Sequence, residues 1–162
     1  MSKKQHDLKQ LKKNGVNVIQ LIDSLSGTDG DIFKENIKNY QPKEDVINLL
    51  EQKAKGYTFI IFSAEWCKDC KANVAAFIKI LQKKPKIDAV FFKGLKTAPL
   101  GGDVRWKIPP SPPEVLEFDL RKIPTFYILN SKGDLMGEMI ENPIHKPTLE
   151  EELVYILDSI KK

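Results

Sequence analysis

The chain holds two cysteines, Cys67 and Cys70, separated by Lys68 and Asp69. On the first turn of a helix, residues three apart are surface neighbours, so this pair can close into a disulfide and reopen. A bridge that short closes too small a loop to constrain the chain much, which favours a redox or metal role over a structural staple. Zinc takes four ligands. The only histidines, His6 and His145, stand far from the cysteines with no ligand spacing of their own. The residues therefore read as a dithiol, with a metal-binding CxxC module as the lesser alternative.

Such a pair needs a rigid support on either side. Residues 57–62 are an apolar run rich in β-formers and read as a strand buried on both faces. After the cysteines, Val74, Phe77, Ile78 and Leu81 recur at helical spacing as far as Lys83-Lys84-Pro85, so Cys70 belongs to a helix of about four turns. Residues 89–92 supply a second short strand, and strand, helix and strand in that order imply a right-handed parallel crossover. Two further β-like runs, 125–129 and 135–140, flank Asn130-Ser131-Lys132-Gly133 and form an antiparallel hairpin. The last helix opens at Thr148, with Glu151 completing a capping box, and carries Leu149, Leu153, Ile156, Leu157 and Ile160 on its apolar face.

Upstream, Val18, Leu21, Ile22 and Leu25 mark a short amphipathic helix that Gly27 would end. Residues 26–30 look like a turn, after which Asp31 would cap a helix bearing Phe33, Ile37 and Tyr40 and stopped by Pro42. A helix over 44–53 follows, with Val46, Ile47, Leu49 and Leu50 facing the core. Residues 1–13 are lysine-rich and read as a frayed terminus or a solvated helix face. The irregular stretch is 94–113, which holds five of the ten prolines, a Gly101-Gly102 turn and a run at 108–113 expected to be extended polyproline II. Trp106 in this stretch is read as an anchor packed under the loop, in preference to a residue of the substrate groove. Residues 114–120 have room for one or two helical turns.

With 162 residues, 41% of them hydrophobic, the chain can bury a core of its own, and one domain is expected. A net charge of +4 falls short of the concentrated basic patch of a nucleic-acid binder. No run approaches the ~20 apolar residues of a membrane span, and residues 1–13 lack a signal-peptide core, so a soluble cytoplasmic protein is expected.

Ala64-Glu65-Trp66-Cys67 followed by Cys70-Lys71, together with Arg121-Lys122-Ile123-Pro124-Thr125, resembles the thioredoxin family. The second run resembles that family's cis-proline loop. The resemblance covers residues 43–162, and more weakly the whole chain resembles small prokaryotic thioredoxin-like proteins of unassigned substrate. It implies an α/β thioredoxin-like fold: a central mixed sheet of about four strands flanked by helices, with a helical extension over 1–42 and a proline-rich insertion at 94–113. It also implies that Cys67 is the exposed nucleophile, Cys70 the buried resolving thiol and Pro124 a cis proline against the two sulfurs. Ile123 would offer its backbone to an extended substrate, and Trp66 would shape the surface around the nucleophile. Physical chemistry agrees on the cysteines, because the N-H groups and dipole at a helix start favour a thiolate at Cys67 and help Cys70 less. Lys68 and Lys71 should lower the Cys67 pKa and Asp69 should oppose them.

The sequence also departs from the family. Ile61 stands where members carry a buried Asp that handles the proton of the resolving thiol. Glu65, Asp69 and Lys93 are the candidate substitutes, Lys93 because it ends the neighbouring strand. Lys68-Asp69 differs from the Gly-Pro of common thioredoxins, and Ala75 replaces a helix-kinking proline, so the helix should run straighter.

The function implied is reduction of protein or small-molecule disulfides through a Cys67 mixed disulfide. The expected potential is on the order of −270 to −200 mV. The alternative is a redox-switched interaction or scaffold protein with little turnover. No G-x-G-x-x-G loop is present, so no flavin or nicotinamide cofactor is implied, and electrons would come from a reductase protein or a small thiol. A monomer is expected, with neither nucleic acid nor membrane as partner.

Overall fold

The computed structural model describes residues 5–99 and 105–160. The Gly101-Gly102 turn lies outside them. Among the described residues the elements run in the order α1 (Leu8–Asn14), α2 (Val18–Ser24), α3 (Gly27–Asn39), α4 (Glu44–Lys53), β1 (Tyr57–Phe62), α5 (Lys68–Lys83), β2 (Asp88–Phe92), α6 (Glu114–Glu117), β3 (Thr125–Asn130), β4 (Leu135–Ile140) and α7 (Leu149–Asp158). Among the described residues, no helix is long and apolar enough to cross a membrane.

The sheet is mixed and four-stranded in the order β2-β1-β3-β4, with β1 parallel to β2 and antiparallel to β3, and β3 antiparallel to β4. This is the α/β thioredoxin-like architecture that the sequence implies. Phe59, Ile60, Ile61 and Phe62 of β1 are fully buried, as a strand hydrogen-bonded on both edges and covered on both faces must be. Helix α3 lies along α5, and α4 along α7. One apolar cluster runs through the molecule, taking in Leu21 and Phe33 from the first helices, the strands, and Leu153 and Leu157 from α7. The Thr148 hydroxyl accepts the N-H of Glu151 and caps α7.

From residue 5 onward the N-terminal segment is docked, not frayed, with Lys9, Lys12 and Lys13 of α1 on its solvated face. His6 is buried, stacks on Phe118 at 4.0 Å, pairs with Glu117 through Nδ1 and donates its backbone N-H to the carbonyl of Gly133 at 2.8 Å. Asp7 caps α1, whose Leu11 is buried. Beyond α1, Val16 exchanges two backbone hydrogen bonds of 2.8 Å with Phe91, covering the outer edge of β2 at that point.

Helix α3 also begins earlier than its sequence suggests. Gly27, at φ +68°, lets the chain turn straight from α2 into α3, and Ser26, not Asp31, is the N-cap. Gly30 is then helical and lies against Leu25, where a Cβ would meet the Leu25 carbonyl carbon at 2.8 Å.

The run at 108–113 is not extended polyproline II. It turns, with cis peptides before Pro109 and Pro110 and the Ser111 N-H donating to the carbonyl of Lys107 at 2.9 Å. The Ser111 hydroxyl holds the turn down, accepting from the N-H of Lys96 and donating to its carbonyl. Trp106 is buried and donates its indole N-H to Leu120 at 2.8 Å, which fastens the other end of the stretch.

Candidate active site

Strand β1 delivers the chain to the site, and the N-H of Ser63 continues the parallel ladder by donating to Phe92 at 2.9 Å. Residues 63–66 then make the turn into α5. Cys67 is the N-cap of that helix, and its Sγ accepts the N-H of Cys70 at 3.2 Å. The sulfur thus takes the place that a Ser or Asp oxygen fills at an ordinary N-cap. The Ile123–Pro124 peptide bond is cis, and the Ile123 carbonyl faces the site, accepting the Cys67 thiol at 3.6 Å. Both cysteines are free thiols.

Burial and hydrogen bonding drive the two thiols apart. Cys67 is held below the ordinary thiol range, first by the hydrogen bond from the Cys70 side chain and then by the N-H groups of Cys70 and Asp69, against burial and the Asp69 charge. Cys70, with no exposed surface, is pushed far up, chiefly by burial and then by its bond to Cys67 and that neighbour's charge. The main stabiliser of a Cys67 thiolate is therefore its partner thiol and the helix start, not the lysines. Lys68 is exposed, and Lys71 is drawn to Asp29 of α3 at 2.5 Å.

Cys67 is only 7% exposed, so it is more enclosed than an open nucleophile. The Ile123 backbone lies against it. Trp66, beside it, is 50% exposed, and its Nε1 donates to the Leu95 carbonyl at 2.9 Å, which fixes the ring and leaves part of it to solvent.

Ile61 is fully buried, paired across the sheet with Phe91 and Phe126. Among the described residues, no hydrogen bond or ion pair joins Glu65, Asp69 or Lys93 to Cys70. Lys93 is exposed just beyond β2, where it lines a pocket of about 520 Å³ with Glu65 and Trp66. Among the described residues, no three His, Cys, Asp or Glu side chains are grouped to hold a metal ion.

One residue of the site escapes sequence reasoning. Asn73, one turn beyond Cys70, is buried, and its Nδ2 donates to the Glu141 carbonyl and to Asn142 Oδ1, both at 2.8 Å. Glu141 in turn donates its N-H to the Pro124 carbonyl at 2.7 Å. A chain of hydrogen bonds thus ties the cysteine helix to the proline loop. The available signal was a single amide among the apolar positions of α5, which runs unbroken over 16 residues.

A family model described as thioredoxin matches residues 15–95, half of the chain, with both cysteines inside the match. The chain belongs to the thioredoxin family. The match begins within the segment ahead of residue 43, whereas Pro124 lies beyond its end. Among solved structures, this thioredoxin-family chain shares its fold with a protein of unknown function from Pseudomonas aeruginosa, at 16% identity and a TM-score of 0.66 over 94% of this chain and 96% of that one. An HIV epitope scaffold has the same identity and coverage with a TM-score of 0.65. Mitochondrial thioredoxin 3 of Saccharomyces cerevisiae is 28% identical over 61% of this chain and 78% of its own, with a TM-score of 0.37. No curated protein matches the sequence.

Proposed function

We propose that this thioredoxin-family protein is a disulfide reductase acting through Cys67 and Cys70. The observation that carries the reading is the division of labour between the thiols: Cys67 caps the helix with its ionisation favoured, while Cys70 stays protonated beneath it. The Cys67 thiolate attacks one sulfur of a substrate disulfide, forming a mixed disulfide and releasing the other sulfur as a thiolate that takes a proton from water. Cys70 then attacks Cys67 Sγ. The second substrate thiolate leaves, the proton given up by Cys70 balances it, and the protein disulfide has received the two oxidising equivalents. A reductase protein or a small thiol restores the dithiol.

In this scheme, ionisation of Cys67 removes its bond to the Ile123 carbonyl. That carbonyl becomes available to a backbone N-H of an extended substrate lying along the Ile123–Pro124 loop beside Trp66. The Asp69 charge opposes the Cys67 thiolate. The setting proposed is the cytoplasm, with the protein acting as a monomer and with a potential on the order of −270 to −200 mV.

The decisive experiment combines turnover with trapping. Wild-type protein should reduce bis-hydroxyethyl disulfide with dithiothreitol as donor, Cys67→Ser should abolish this, and Cys70→Ser should accumulate a mixed disulfide visible by mass. Absence of turnover together with absence of trapping would overturn the reading.

A further inference from the structure

The pocket of about 520 Å³ beside Trp66 is not used by the chemistry above. Its size lies within the range of about 300–1,000 Å³ typical of ligand sites. Leu21 and Leu25 of the α2 end and Phe33 of α3 form one wall, Trp66 and Leu95 another, and Pro110 of the turned proline stretch closes it. The early helices and the insertion at 94–113 therefore meet here, next to the nucleophile.

Its rim is basic. Lys93 and Lys96 both border the pocket, and neither has an ion pair or side-chain hydrogen bond among the described residues. Six other lysines, at positions 12, 43, 53, 71, 83 and 122, are each paired with a carboxylate. Among the described residues, Glu65 is the one acid at the rim. The backbone of Lys96 is pinned by both of its bonds to the Ser111 hydroxyl, so this charge is carried on a held strand of chain.

Resting on the reductase reading, we infer that this pocket selects the substrate: it receives a bulky apolar side chain next to the target cysteine of an extended polypeptide, while Lys93 and Lys96 pair with an adjacent carboxylate. Trp66 lines the pocket and directly precedes Cys67, so a segment joined to Cys67 that runs towards Trp66 reaches the pocket within a few residues of about 3.8 Å each. The substrate class is thus a protein disulfide set in an acidic, apolar segment. Trp66 contributes a partly open ring whose N-H is already satisfied by Leu95, suiting it to apolar contact.

The test compares two synthetic cystine peptides on the full chain, one with Asp and Leu beside the cysteine and one with Lys and Ser. Bis-hydroxyethyl disulfide serves as a reference without side chains. Burial of one bulky apolar group predicts that wild type prefers the acidic-apolar peptide by about tenfold or more in kcat/KM. Thr97→Trp, which fills the mouth from an exposed position, and Lys96→Glu should each bring the ratio of the two peptides towards one. A ratio cancels any general loss of activity. In parallel, the same peptides with serine in place of cysteine are titrated by calorimetry, which reads the pocket without any redox step. Equal binding of the two serine peptides, a preference that survives both variants, or binding of a small apolar anion but of neither peptide would overturn the inference. Loss of turnover on every disulfide while the binding preference persists would instead overturn the reductase reading.

Discussion

The sulfur of Cys67 lies between two backbone groups of opposite character, the Ile123 carbonyl at 3.6 Å, to which its thiol donates, and the Cys70 N-H at 3.2 Å, from which it accepts. The carbonyl favours the thiol and the N-H favours the thiolate. Because the Cys70 side chain adds its own hydrogen bond to the second set, the thiolate side prevails.

Alkylation should expose that balance. The rate of Cys67 modification by iodoacetamide against pH is expected to rise with a midpoint below the ordinary thiol value of about 8.5. In Cys70→Ala the midpoint should move up, since the largest favourable contribution is gone. An unshifted midpoint would assign the effect to the helix start alone.

Cys70 predicts a stability change of opposite sense. Its folded-state pKa is raised, so its contribution is complete below the unfolded value of about 8.5 and is lost as pH climbs above it. In Cys67→Ser, which isolates the buried thiol, urea unfolding should show stability falling by up to about 1.4 kcal/mol per pH unit above that value. Adding Cys70→Ala should remove this component, and identical slopes in the two proteins would refute the assignment.

Asn73→Ala strips the Glu141 carbonyl and Asn142 of a buried donor. A loss of about 1–3 kcal/mol is expected in denaturant unfolding. Because Glu141 holds the Pro124 carbonyl, the Cys67 alkylation midpoint should shift as well. A midpoint equal to wild type would make Asn73 a matter of stability only.

At Gly133 the backbone sits at φ +87°, and a Cβ would come within 1.9 Å of the His6 carbonyl oxygen. Gly133→Ala should therefore destabilise the protein by more than about 1 kcal/mol, through strain at the turn and displacement of the docked N-terminal segment. Urea unfolding of the full chain checks this, with a change within about 0.5 kcal/mol counting against it.

Much of the fold could be read locally. The unbroken apolar run of β1, the spacing of Val74, Phe77, Ile78 and Leu81, and the Thr148–Glu151 cap each record their own secondary structure in a few adjacent residues. What could not be read depends on partners far along the chain. His6 is buried because Phe118 and Glu117 await it more than a hundred residues later, a relationship with no local signature. Likewise, the turn at Pro109 and Pro110 is held by Ser111 on Lys96, and Lys71 is drawn from Cys67 towards Asp29. At the site, the positions of the two cysteines followed from their spacing before a helix, whereas the role of Asn73 depends on a loop 68 residues away.

The paired hydrogen bonds between Val16 and Phe91 bear on how the molecule behaves in a crowd of its own copies. A sheet ends in backbone groups that will pair with any passing strand, and at Phe91 those groups are already occupied by the chain itself. The N-terminal segment thus occupies part of the β2 edge itself. Shortening it past Val16 should be felt first as self-association and loss of solubility, before any effect on the dithiol.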